Sequence, residues 1–225
     1  MRKQTKTFLT LIYLVLPIMG IAMPQRSDSV KLNNEYATIN LAAELSKHGY
    51  AHGDALSLIQ AARLVKQLGI VSDDNQKTAV GGSDDLRTKT IKVNMNDSEL
   101  LADAKALAKD NGILLALIDQ VGSNVRGVCN DGNRRIYSAV RAHATDVYKL
   151  RCPSTKPVSV RVVGDGDTDL SLMIYDPEGN IIYNDDEDED CIARFTPRWT
   201  SVYEIHIVNH GDVYNNYTLF IHISD

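Results

Sequence analysis

The hydrophobic period of this 225-residue chain changes part-way along its length, and that change limits the fold more than any other feature. Up to about residue 121, apolar residues recur at helical spacing between capping residues and glycine stops. Beyond about residue 145 they alternate every second residue between turn signals. Tyr36 to His48 places Leu41, Ala42 and Leu45 on one helical face and stops at Gly49. Asp54 caps a second helix with the stripe Leu58, Ile59, Ala62 and Val65, ending at Gly69. Asn96 with Glu99 forms a capping box ahead of a third, carrying Leu100, Leu101, Ala104, Leu107 and Ala108 and stopped at Gly112, and Ile113 to Val121 makes a short fourth. Ser72 to Thr90 is polar, contains Gly81-Gly82 and has no apolar period, which predicts a mobile loop.

In the second half, Leu170, Leu172 and Ile174 alternate inward, Asp176-Pro-Glu-Gly-Asn supplies a turn, and Ile181-Ile-Tyr183 returns. Further strands are predicted at 146–152, 158–163, 191–195, 202–208 and 217–223. Seven short strands with no helix between them predict an antiparallel β-sandwich, so the fold class is α+β in two segregated parts, a small N-terminal helical domain and a C-terminal β-sandwich. Aromatic content agrees: residues 23–136 contain only Tyr36 and Tyr50, whereas residues 137–225 hold seven tyrosines, Phe195, Phe220 and Trp199. The expected organisation is a signal peptide at 1–22, a helical domain at 23–121, a Gly- and Asn-rich linker or loop at 122–144, and the sandwich at 145–225.

The first 22 residues join a basic start to an apolar run from Phe8 to Ile21, with small residues at Gly20 and Ala22, the pattern of a secretory signal. The run is shorter than the roughly 20 apolar residues of a membrane span, so the expected product is a secreted or periplasmic protein without a transmembrane anchor after cleavage. An oxidising compartment allows one disulfide among Cys129, Cys152 and Cys191, none of which has CxxC or zinc-ligand spacing.

The net charge of −5 conceals an uneven distribution. Arg2, Lys3 and Lys6 lie in the signal segment, which leaves the remainder at −8; residues 164–190 carry 11 acids and no base, and without them that remainder is +3. If Pro177 and Gly179 close a hairpin, Leu170 falls opposite Asp186, and Asp165, Asp167 and Asp169 approach the run at Asp185 to Asp190. Like charges at about 4 Å repel by on the order of 1 kcal/mol in water. Either the run is a solvated edge that blocks pairing with another chain, or it holds a hard cation. Asp165, Asp167, Asp169, Asp185 and Asp186 are the candidate ligands, and calcium is the candidate ion. An EF-hand is excluded because Leu170 stands where that loop needs glycine.

Asp146-Val-Tyr, Gly164-Asp-Gly-Asp-Thr-Asp-Leu-Ser-Leu-Met-Ile-Tyr-Asp-Pro-Glu-Gly-Asn, Asp190-Cys, Phe195-Thr-Pro-Arg-Trp-Thr and Val208-Asn-His-Gly-Asp-Val-Tyr-Asn-Asn-Tyr-Thr-Leu together resemble the bacterial pre-peptidase C-terminal domain over residues 145–225. The resemblance implies a secreted β-sandwich appended to exported peptidases, removed on maturation or used as a binding module, with calcium association in some members. Cys152 occupies a core position where the resemblance implies a large apolar residue. Cys191, Ala193 and Phe195 alternate onto one face, and a core bridge from Cys191 to Cys152 is the preferred pairing.

No His-Glu-x-x-His or Gly-x-Ser-x-Gly motif occurs, and Ser83 has no evident base. His206 points to solvent between Ile205 and Ile207. His48 and His52 flank a helix end, where capping or dipole contacts are expected rather than metal binding. Trp199 is read as a core or corner residue. Scattered arginines and the net negative charge exclude a nucleic-acid role. The sequence thus points to an exported, non-catalytic binding or accessory protein whose partner is a protein or a cell-envelope polymer. The alternative is a secreted hydrolase or a peptidase-associated factor that uses the helical domain.

Overall fold

The structure is a computed structural model that describes residues 26–72, 77–83, 92–123, 133–185 and 190–224. The expected signal peptide at residues 1–22, Cys129 and Asp186 lie outside these residues. Four helices, α1 (Arg26–His52), α2 (Ala55–Leu68), α3 (Asp97–Ala108) and α4 (Gly112–Ser123), lie on the N-terminal side of the chain. Among them run two strands, β1 (Val71–Ser72) and β2 (Lys77–Gly81). Eight strands follow: β3 (Arg134–Val140), β4 (Ala144–Cys152), β5 (Val158–Gly164), β6 (Leu170–Tyr175), β7 (Ile181–Asp185), β8 (Asp190–Phe195), β9 (Ser201–Asn209) and β10 (Asn215–Ile223). The fold is α+β with a two-sheet β-sandwich.

Helix punctuation follows local hydrogen bonding. Asp54 caps α2, its carboxylate accepting from the Leu56 amide (3.0 Å) and the Ser57 hydroxyl (2.6 Å), and Gly69 ends that helix in the left-handed region at φ 67°. Asn96 caps α3 through the amides of Ser98 and Glu99, and Glu99 accepts back from the Asn96 side-chain amide at 3.2 Å. Gly49 does not stop α1. The helix runs through it, and a β-carbon there would lie 2.4 Å from Leu58 Cδ2, so glycine serves the close crossing of α1 over α2. With α1 extended, its buried face is Ile39, Ala42, Ser46 and Gly49, and Leu41 is turned 52% exposed, contrary to the stripe expected from a shorter helix.

One sheet has the order β1-β3-β10-β5-β8, antiparallel except for the short β1–β3 pair; the other, β2-β4-β9-β6-β7, is antiparallel throughout. Their inner faces share a core that includes Val140, Leu150, Val160, Leu172, Ile174, Ile205 and Leu219. The seven strands expected from alternation are present, and three more join them from stretches expected to be loop or helical domain. β3 escapes notice because both its faces are covered: Ile136, Ser138 and Val140 face the sandwich core, while Tyr137 packs against the helices.

The helices cover the outer face of the first sheet. Phe220 and Val163 are buried in the helical core, Phe220 meeting Tyr36 edge-on at 5.9 Å. The Arg161 guanidinium lies 4.3 Å above the Tyr36 ring, and Arg135 bonds both Glu35 (2.8 Å) and the Leu68 carbonyl (3.0 Å). Full burial of a phenylalanine contributes roughly 1.5–3 kcal/mol, so Phe220 alone is a substantial tie between the two parts.

Candidate functional site

Antiparallel pairing in the β6–β7 hairpin sets Leu172 opposite Asp185, one residue from the register that a plain Pro177–Gly179 turn gives. An irregularity at Ile174/Tyr175 supplies the offset. Cross-strand partners share a face, so the slip turns Asp185 toward the inner side with Leu172. There its carboxylate accepts from the Ile192 amide at 3.2 Å and from the Tyr183 hydroxyl at 3.3 Å, and that hydroxyl also reaches the Ile192 carbonyl. Asp176 closes the turn by accepting from the amides of Glu178 (3.0 Å) and Asn180 (2.8 Å) and from the Asn180 side chain, which holds its carboxyl below the ordinary carboxylate range.

At the other acidic loop, Asp165 follows β5 and is buried; it accepts from the amides of Asn216 (2.8 Å) and Asp167 (3.3 Å). Asn215 receives the Asp165 amide and donates to Thr168, so the loop is tied to the start of β10. Asp167 is half-buried, and Asp169 is exposed with its carbonyl accepting from the His210 amide. Asp165 is thus anchored to Asn216 of β10 and Asp185 to Ile192 of β8, with β5 between those strands, and the two anchors stand at levels four residues apart along β5, so they differ by roughly 9–10 Å across the sheet and about 13 Å along it. Among the described residues, no group of three or more His, Cys, Asp or Glu side chains is placed to hold a metal ion.

Cys152 and Cys191 are not bridged to one another. Cys191 lies beside Leu170 and Asp185, whereas Cys152 ends β4 opposite Ser201, near the loop where Thr155 bonds Pro197. They therefore stand toward opposite ends of the sandwich, beyond the reach of an S–S bond. Burial pushes the Cys152 thiol up to about 11.

The outer face of the second sheet carries Val147, Lys149 and Arg151 from β4, Val202, Glu204, His206 and Val208 from β9, and Ser171, Met173 and Tyr175 from β6. Among the described residues no helix lies over it. Tyr175 and His206 stack with centroids 4.4 Å apart, and His206 Nε2 meets Glu204 at 3.2 Å. That hydrogen bond, aided by Lys149 at 3.5 Å, holds the Glu204 carboxyl below its usual range. Ser171 Oγ lies 2.7 Å from His210 Nε2. Trp199 is 54% exposed rather than a corner residue: Pro197 is buried in that place, pinned by the Thr155 amide at 2.8 Å, and the chain turns Trp199 outward three residues before Val202.

A second cluster lies inside the sandwich, and of its members only Lys77 falls outside the motifs quoted above. Asp146, 1% exposed, accepts from Lys77 Nζ of β2 (2.7 Å) and from the Tyr217 hydroxyl (2.7 Å), and Tyr148 and Tyr217 share a hydrogen bond of 2.6 Å. Lys77 also donates to the Ala139 carbonyl. Burial raises the Tyr217 phenol far above its usual range, so it stays a protonated donor. Asp146 occupies an inward phase of the β4 alternation, and an acid on that phase requires a partner; this is the signal that could have located the cluster.

No protein-family profile matches the chain, and no curated protein matches it. Among solved structures, it is similar to the pre-peptidase C-terminal domain of a collagenase from Bacillus anthracis (17% identity, TM-score 0.36), over 40% of this chain and 89% of that one. It is also similar to Aeromonas hydrophila PliG, a periplasmic inhibitor of g-type lysozyme (13% identity, TM-score 0.36, 44% of this chain and 93% of that one). A third is a carbohydrate-binding module, CBM36, in complex with calcium and xylotriose (15% identity, TM-score 0.25, 45% and 83%).

Proposed function

We propose that this chain is an exported, non-catalytic binding or accessory protein, with a sandwich of pre-peptidase C-terminal type, that engages a protein or cell-envelope polymer through the outer face of its second sheet. The observation that supports this reading is the unequal treatment of the two sheets. Helices bury the outer face of one, while the other presents Tyr175, His206 and Met173 together with exposed Val202, and Trp199 is exposed in the bend that leads into β9. Tyr175 and Trp199 pair an apolar ring with a polar atom and few rotatable bonds, and Met173 adds an adaptable apolar contact, a combination suited to recognition. Calcium association belongs to the same reading: Asp165, Asp167 and Asp169 share one loop, Asp185 and Asp186 belong to the other acidic run, and a hard cation held at either would offset the repulsion of its carboxylates.

The test is cosedimentation of the purified protein with peptidoglycan sacculi, alongside cross-linking to envelope proteins. Either mode should weaken at least about tenfold in Tyr175→Ala and Trp199→Ala. Turnover of casein or peptidoglycan that Ser171→Ala abolishes would overturn the reading. The Ser171–His210 pair is the one observation favouring hydrolysis, but Ser171 is 4% exposed, and among the described residues no acid orients the imidazole.

A further inference from the structure

The six histidines fall into two groups. His143, His206, His210 and His222 each have a ring nitrogen engaged, by Asp212, Glu204, Ser171 and Asn133 respectively. His48 and His52 instead face each other. Because α1 continues through Gly49, they sit one turn apart on the same helix face, both exposed, with ring centroids 4.4 Å apart. Imidazoles at i and i+4 on a helix can direct one nitrogen each to a shared ion, the arrangement two histidines take in helical zinc sites.

We propose that His48 and His52 form a two-imidazole site for a transition-metal dication, with Cu(II) preferred over Zn(II). Ligand type sets the class: neutral imidazole suits copper, zinc and nickel, whereas calcium and magnesium require oxygen, so this site is independent of the acidic run. The order of affinities for nitrogen ligands places copper highest. Local charge favours a cation. His52 lies on the last turn of α1, where the unsatisfied carbonyls form the negative end of the helix dipole, and His48 is one turn before it. The Asp54 carboxylate lies within electrostatic reach of His48, and Glu44 is one turn earlier on the same helix and exposed. Lys47 is the one base beside them on α1. Once one imidazole is coordinated, the second binds intramolecularly, and water fills the remaining positions.

Isothermal titration of the purified protein with CuCl₂ and ZnCl₂ tests the site, with His48→Asn and His52→Asn as variants and circular dichroism as the check of folding. Both histidines are exposed, so the variants should melt within a few degrees of the parent in chelator. The expected result is one dication per chain, bound more tightly for copper, with affinity falling at least about tenfold in each variant. Copper should also raise the melting temperature of the parent and lose most of that effect in the variants. Copper affinity within twofold of the parent in both variants overturns the proposal, as does a calcium response that the substitutions remove.

Discussion

The carboxylate of Asp185 accepts the amide N–H of Ile192 across the side of the sandwich, at 3.2 Å, so a side chain from the edge strand of one sheet satisfies the backbone of the other sheet's edge. Tyr183 completes the closure by donating to the Ile192 carbonyl. An edge strand left with unpaired amides and carbonyls is a template for another chain, and here two side chains occupy those groups. Replacing Asp185 by Ala should cost about 1–3 kcal/mol, the worth of a charge-assisted bond together with the amide left unsatisfied. Urea denaturation measures the loss, and light scattering should show increased association. A variant as stable and as monomeric as the parent would refute the edge-closing role.

Lys77 and Asp146 make a sharper test. Removing the amine in Lys77→Ala leaves a carboxylate buried with only phenolic and solvent-poor surroundings, and about 3–5 kcal/mol of stability should go with it. The paired change Lys77→Met with Asp146→Leu removes both charges and should recover most of that loss. A double variant no better than Lys77→Ala would show that the charges matter less than the packing of β2.

Gly49→Ala separates close packing from helix termination. Alanine favours a helix interior by about 1 kcal/mol over glycine, so a helix free of contact there would gain stability. With Leu58 Cδ2 only 2.4 Å from the added β-carbon, the expected result is a net loss of about 1–3 kcal/mol. Combining Gly49→Ala with Leu58→Ala should then cost less than the sum of the two single changes, because the smaller side chain makes room.

For Cys152 the pH dependence has a definite sign. The folded thiol is raised by burial from 9.0 to about 11, so an unfolded chain loses this proton first. Nothing is gained or lost below about pH 8.5. Between there and about pH 11, stability should fall by on the order of 2–3 kcal/mol relative to Cys152→Ala, whose profile lacks this contribution. At pH 8, Cys152 should also resist iodoacetamide in the native protein and react once urea unfolds it, as mass spectrometry of the alkylated peptides would reveal.

Millimolar calcium should raise the melting temperature if the acidic run binds it, and Asp169→Ala should reduce that rise. Asp169 is the informative choice because it is exposed, whereas Asp165 and Asp185 already serve backbone amides, so removing either changes stability with or without calcium. Identical melting curves in calcium and in chelator would leave the run as solvated charge.

Much of the architecture was readable because its causes are local. Asp54, Asn96 and Gly69 act within a few residues of themselves, and Leu170, Leu172 and Ile174 alternate against a single core. What escaped depends on partners far along the chain. Lys77 is a polar residue in a polar stretch until Asp146 of β4 gives it a place, and Gly49 reads as a stop until Leu58 of α2 lies against it. The acidic cluster was visible as charge, but the bulge that turned Asp185 inward was not. Trp199 reads as a core or corner residue until the Thr155 contact puts Pro197 in that place. His48 and His52 read as separated by a helix end because Gly49 reads as a stop, whereas α1 continues four residues beyond His48.

The strand β2 is donated from a stretch lying between two helices, and with it comes the amine that neutralises a carboxylate sealed in the sandwich. A fragment starting at residue 145 would carry Asp146 without Lys77, an uncovered β4 edge, and Phe220 without the helices that bury it. The half of the chain that looks like a transferable cassette is therefore in debt to what precedes it, and recombination at the compositional boundary would separate lock from key. In inheritance, the two parts are expected to travel as one gene segment.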